Sequence, residues 1–75
     1  MKDLLILIAK ALVDDPDGVS VTETVDGSNV TLELSVAEGD MGKVIGRHGR
    51  IAKAIRSVVK SAATRENKRV NVEIV

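Results

Sequence analysis

A chain of 75 residues with no phenylalanine, tyrosine or tryptophan, no cysteine and a single histidine builds its core from aliphatic side chains, has no aromatic platform on which bases could stack in series, and lacks the residues for a disulfide or a zinc site. Its eleven cations balance eleven carboxylates, but they are segregated: residues 1–41 hold two lysines against nine acids, a net of −7, and residues 42–75 hold nine cations against two acids, a net of +7. A neutral chain sorted in this way presents one positive face to a polyanion, and the absence of cysteine makes a reduced, cytoplasmic setting the default.

The apolar run from Leu4 to Leu12 is too short and too interrupted, by Lys10, for a targeting segment. No stretch approaches the roughly 20 apolar residues of a membrane span. Its spacing predicts a helix over 3–13, with Leu5, Ile8, Ala9 and Leu12 toward the core and Leu7 at the edge of that stripe, stopped by Asp14-Asp15-Pro16. Ile6 falls on the side of Lys2, Asp3 and Lys10, an apolar strip suited to a partner. Val19–Val25 and Val30–Val36 alternate as strands, and Asp26-Gly27-Ser28-Asn29 between them reads as a hairpin turn. One face of this ribbon is aliphatic and the other polar, which predicts a two-layer α+β domain covered by helices on one side only.

Ala37 to Gly42 reads as a loop in which Asp40 caps a short helical turn through Met41, Lys43, Val44 and Ile45. The glycine turn Gly46-Arg47-His48-Gly49 follows directly. From Arg50 the helical period returns, with Ile51, Ala54, Ile55, Val58, Val59 and Ala62 as the buried stripe and Lys53, Arg56 and Lys60 opposite. Asn67 ends this helix, and Val70, Val72 and Ile74 alternate in a third strand. The order is α-β-β-α-α-β in one domain spanning residues 1–75.

The turn is the part of the chain with chemistry to offer. Two glycines three apart remove side chains where a backbone must approach a ligand, and Arg47 and His48 project between them as a basic tip. The turn opens a basic amphipathic helix, whose first N–H groups and positive dipole end attract anions. Other phosphate loops do not fit: Gly42-Lys43 is followed by Val44, not by the hydroxyl residue of a Walker loop, and the G-x-G-x-x-G dinucleotide pattern is absent. No nucleophile has a neighbouring base and His48 stands alone, so an enzyme, a cofactor or a small-molecule substrate is not expected.

The run Ile45-Gly46-Arg47-His48-Gly49-Arg50-Ile51 resembles the signature of the KH domain, whose GXXG loop clamps a stretch of about four nucleotides. The additional N-terminal helix and strand resemble the type II form. End to end, including Asp40-Met41-Gly42-Lys43-Val44-Ile45-Gly46 and Lys68-Arg69-Val70-Asn71-Val72-Glu73-Ile74, the chain is similar to the small single-domain KH proteins of bacteria, the KhpA family. The resemblance implies a three-stranded mixed sheet covered by helices on one face. It also implies sequence-tolerant binding of single-stranded RNA, a cytoplasmic RNA-chaperone or post-transcriptional role linked in some bacteria to cell shape, and pairing as a homodimer or with a larger KH-containing protein.

Carried over residue by residue, Gly46 and Gly49 admit the backbone, and Arg47 and His48 lie along the phosphates. Val44, Ile45 and Ile51 belong to the aliphatic side of the groove or its support, and residues near Leu34 and Val36 form the other wall. With Lys43, Arg50 and Lys53 these complete the candidate RNA site. Without aromatic stacking one copy binds weakly. If Lys43, Arg47, Arg50 and Lys53 each neutralise a phosphate, the logarithmic salt slope is about −3. The alternative reading is a protein-interaction module using the same scaffold as an adaptor, with Ile6 and Leu7 as its contact.

Overall fold

In the computed structural model, which describes residues 1–75, the chain forms helix α1 (Lys2–Leu12), strands β1 (Ser20–Asp26) and β2 (Asn29–Ser35), a short helix α2 (Met41–Ile45), helix α3 (Arg50–Arg65) and strand β3 (Arg69–Ile74). Single 3-10 turns at Pro16–Gly18, Glu38–Asp40 and Arg47–Gly49 link them. The expected α+β order holds, and the strand boundaries fall within one residue of those read from the alternation.

The sheet has the order β1-β2-β3. Strands β1 and β2 pair antiparallel through the hairpin, whereas β2 and β3 run parallel because α2 and α3 carry the chain back across the sheet between them. The hairpin closes on Gly27 and Ser28, with positive φ confined to Gly27 at +61°, as a type II′ turn requires.

Register decides what lies under the helices. Val30 pairs with Val70 and Leu32 with Val72, and all four are buried, while Thr31, Glu33, Asn71 and Glu73 face the open side. Leu5 and Ala9 of α1 and Ile55, Val59 and Ala63 of α3 close over this aliphatic face. Strand β1 is only half covered: Val21 is buried, but Val25 beyond it is 55% exposed, because the hairpin end extends past the helices.

Three local expectations are corrected by the packing. The buried line of α3 is Ala52, Ile55, Val59 and Ala63. Val58 is 48% exposed, Ala54 is exposed, and Ile51 and Ala62 are half-buried. The stripe is thus rotated by roughly a fifth of a turn from the one the apolar period suggests, because the apolar arc of the helix is wider than the strands beneath it. On α1, Ile6 is half-buried and packs against the core, and it is Leu7 that points outward, 67% exposed. Asp40 occupies the residue before α2 but makes no cap hydrogen bond with its side chain. Its carboxylate instead accepts the N–H groups of Asp14 (3.3 Å) and Asp15 (3.0 Å). It is the one buried charged residue, and it ties the segment after α1 to the start of α2.

The C-terminal end of α3 behaves as read. Asn67 takes the left-handed conformation at φ +57°, its N–H bonds the Thr64 carbonyl, and the Lys68 N–H bonds that of Ala63. This is the paired bonding of a Schellman motif with Asn in place of Gly.

Candidate nucleic-acid interface

The glycine turn joins α2 to α3 at one end of the helical layer. Its backbone descends from Gly46 (φ +75°, ψ 174°) through His48 (φ +58°, ψ 24°) and Gly49 (φ +72°, ψ 15°) into α3. Gly46 lies in a region open to glycine alone. A methyl group there would also sit 2.5 Å from Cγ1 of Ile51, so the first glycine is required twice over, by its dihedrals and by the side chain beneath it. Gly49 has nothing within 4 Å of where a Cβ would be, and only its left-handed φ favours glycine. His48 holds a left-handed conformation that costs a non-glycine residue about 1–2 kcal/mol, which throws its side chain out beside that of Arg47.

The candidate residues divide into three sets. Arg47, His48, Arg50 and Lys53 are exposed around the turn and the first helical residues of α3, and none is in an ion pair, since the only ion pairs in the molecule involve Lys43. The Arg50 N–H bonds the Arg47 carbonyl, and the next N–H groups of α3, where Gly49 supplies no side-chain cap, open toward the same space. Together they form a ready anion site.

Val44, Ile45 and Ile51 support it. Val44 is fully buried in the core, Ile51 is half-buried and packs beneath Gly46, and Ile45 is 37% exposed at the rim.

Lys43 stands apart. Its ammonium donates to the Asp14 carboxylate and lies 3.9 Å from that of Asp40. The hydrogen bond it donates to Asp14, opposed by desolvation and helped by the charges of both acids, holds its pKa above the ordinary lysine value. Leu34 and Val36 are also displaced from the expected role, being buried in the core with exposures of 0% and 8%. They form no accessible wall.

Two features around α3 were not read from the sequence as sites. On the side facing α1, a groove of about 500 Å³ is lined by Leu4, Ile8 and Leu12 and by Ile51, Ala54 and Val58. On the opposite side, Arg56 donates from Nε to the Val72 carbonyl (3.1 Å) on the unpaired edge of β3. The spacing of Arg56, Lys60 and Thr64 four residues apart was visible in the sequence. The sheet edge beside them was not.

The sequence matches, over residues 2–74, the family described as KhpA/KhpB, KH domain. Among curated relatives, the RNA-binding protein KhpA of Clostridium acetobutylicum is 63% identical over 75 residues, covering the whole of both chains. The protein of that name from Caldanaerobacter subterraneus subsp. tengcongensis is 57% identical, again over the whole of both. That from Listeria monocytogenes is 43% identical over all of this chain and 99% of its own. Among solved structures, the crystal structure of Era in complex with MgGDPNP and nucleotides 1506–1542 of 16S ribosomal RNA matches with a TM-score of 0.69, over 97% of this chain and 28% of that one. At 16% identity the likeness is one of fold.

Proposed function

The chain belongs to the KhpA/KhpB family of KH domains, and from that premise we propose that it binds single-stranded RNA, clamping the sugar-phosphate backbone between the glycine turn and the first turn of α3. The reading is carried by one observation: a turn that only glycine can make sets Arg47, His48, Arg50 and Lys53, all exposed and unpaired, around the open N–H groups of a 16-residue helix. Full-length relatives that bear the name RNA-binding protein point the same way.

The mechanism is positional. Gly46 and Gly49 let a phosphate approach the main chain, the two arginines and Lys53 neutralise charge, and the aliphatic rim at Ile45 accommodates bases without selecting them strongly. No step of it makes or breaks a bond, and the assigned role is that of a cytoplasmic RNA chaperone or post-transcriptional regulator, not an enzyme. Because Lys43 is engaged by two carboxylates, three cations contact phosphates instead of four, and the logarithmic salt slope becomes about −2.

Affinity at one such site is modest without stacking rings, so a second site in a homodimer, or in a larger KH-containing partner, supplies avidity. The apolar groove between α1 and α3 supports pairing there, in place of Ile6 and Leu7. Leu12 and Val58, on its two sides, stay 37% and 48% exposed, an aliphatic surface left to solvent.

The test is fluorescence anisotropy of a labelled single-stranded RNA titrated with the wild type and with Arg47→Asp/His48→Asp across a salt series. Binding that weakens with salt and is lost in the double variant supports the clamp. Equal behaviour of the two proteins overturns it. Sedimentation of wild type and Val58→Asp reports on pairing separately.

A further inference from the structure

The groove between α1 and α3 runs on toward the C-terminal end of α3. Leu4 and Val58 line it and also line a second concavity of about 320 Å³, with Ser61, Ala62 and Arg65. The α3 side of this surface carries a row of residues four apart, Arg50, Ala54, Val58, Ala62 and Glu66, the last at the C-cap. The row is symmetric about Val58 in size and opposite in charge at its two ends. Neither Arg50 nor Glu66 is in an ion pair within the chain. Arg50 is also the one cation of the glycine-turn site that lines the groove.

A row of this kind fits a second copy of itself laid in the opposite direction. About a two-fold axis at Val58, Ala54 of each copy meets Ala62 of the other, and Arg50 meets the partner's Glu66 at both ends. The alanines let the helix axes approach to about 8 Å, a gap within reach of an arginine and a glutamate. A parallel arrangement would bring two sets of Arg47, Arg50 and Lys53 side by side and align the helix dipoles, so charge selects the antiparallel one.

We propose that Arg50 is contested: a paired copy holds it through Glu66, RNA at the glycine turn draws it away, and pairing and the binding of a short RNA therefore oppose each other. The inference rests on the RNA-binding and pairing readings above and adds to them a regulation of the site by the concentration of the protein itself. In the pair each clamp keeps Arg47 and Lys53 and lends Arg50 to its neighbour. In the single copy all three serve phosphates. By linkage, the factor by which pairing weakens RNA binding is the factor by which RNA weakens pairing. An RNA long enough to reach both turns recovers through the second site what it loses at Arg50.

Sedimentation equilibrium measures pairing with and without an excess of a single-stranded RNA of about five nucleotides, little more than one KH clamp takes. The proteins are the wild type, Arg50→Glu, Glu66→Arg, the exchange Arg50→Glu/Glu66→Arg, Glu66→Gln, and Glu33→Gln as a control that removes a carboxylate from the open face of the sheet. Anisotropy of the same RNA, labelled, on the wild type and on Arg47→Asp/His48→Asp tests the clamp itself. Circular dichroism melts verify that each variant is folded.

The expected result is that Arg50→Glu and Glu66→Arg each weaken pairing about tenfold, since each sets like charges against one another at both ends of the row, and that the exchange restores it to within about threefold. Excess RNA weakens pairing of the wild type and of Glu33→Gln about fivefold, and leaves that of Glu66→Gln unchanged. An exchange that fails to restore pairing would mean that Arg50 does not face Glu66, and overturns the proposal. An equal effect of RNA on the wild type and Glu66→Gln would mean general repulsion between loaded copies, and also overturns it. In both cases loss of RNA binding by Arg47→Asp/His48→Asp leaves the clamp standing. If that variant binds RNA as the wild type does, the clamp falls and the contest for Arg50 falls with it.

Discussion

The two open sides of α3 are made of different material and face different neighbours. Toward α1 the helix shows Ile51, Ala54 and Val58 across a groove that no part of the chain fills. Toward β3 it shows Lys53, Arg56, Lys60 and Thr64 along the edge of a strand, with Arg56 bonded to that strand. Only the arc between them, through Ile55 and Val59, is committed to the core. A helix of 16 residues thus serves three surfaces, and a simple division into an apolar and a polar side merges two of them.

The contrast yields a graded set of expectations, measured by chemical denaturation unless stated. Ile55→Ala removes a side chain that is 3% exposed and costs about 2–5 kcal/mol. Val58→Ala, three residues away, costs below about 0.5 kcal/mol, as for an ordinary surface change. Similar costs at the two positions would mean that the groove is closed in solution and the comparison wrong.

Gly46→Ala combines a dihedral reserved for glycine with a clash against Ile51 and loses about 2–3 kcal/mol. Gly49→Ala loses about 1 kcal/mol, for its left-handed φ alone. Asp40→Ala strips two backbone donors of a buried carboxylate and costs about 1.5–3 kcal/mol. Mutating the exposed partner, Asp14→Asn, leaves stability nearly unchanged. It releases Lys43 toward the turn and steepens the logarithmic salt slope of RNA binding, read by anisotropy, by about 0.7. Lys60→Gln, on the edge side, shifts stability by no more than about 0.5 kcal/mol.

Much of this molecule is written in local pattern. Strand alternation, the hairpin turn, the stop after Leu12 and the helix following Gly49 depend on neighbours a few residues apart, and all are legible in the sequence. So is the basic tip at Arg47 and His48. What escapes depends on distance along the chain. Asp40 reads as a cap because caps are local, whereas its partners lie 25 and 26 residues earlier. The buried line of α3 is set by the width of the sheet, which no helical period contains. The two glycines look alike in sequence and differ only because Ile51 folds back under the first. Lys43 belongs by sequence to the basic half and by contact to the acidic one.

The hydrogen bond from Arg56 to the carbonyl of Val72 also bears on how the protein behaves when crowded. Strand β3 is an outer strand with an aliphatic, β-branched sequence, the kind of template on which further strands add and fibrils grow. A bound guanidinium occupies one of its free acceptors, and Lys60, Lys68 and Arg69 flank it, so an arriving strand must displace a charge and come to rest among others. These cations therefore act as gatekeepers against self-assembly. Variants that neutralise them to study RNA binding are expected to aggregate sooner at high concentration, a change that light scattering would detect before any loss of fold.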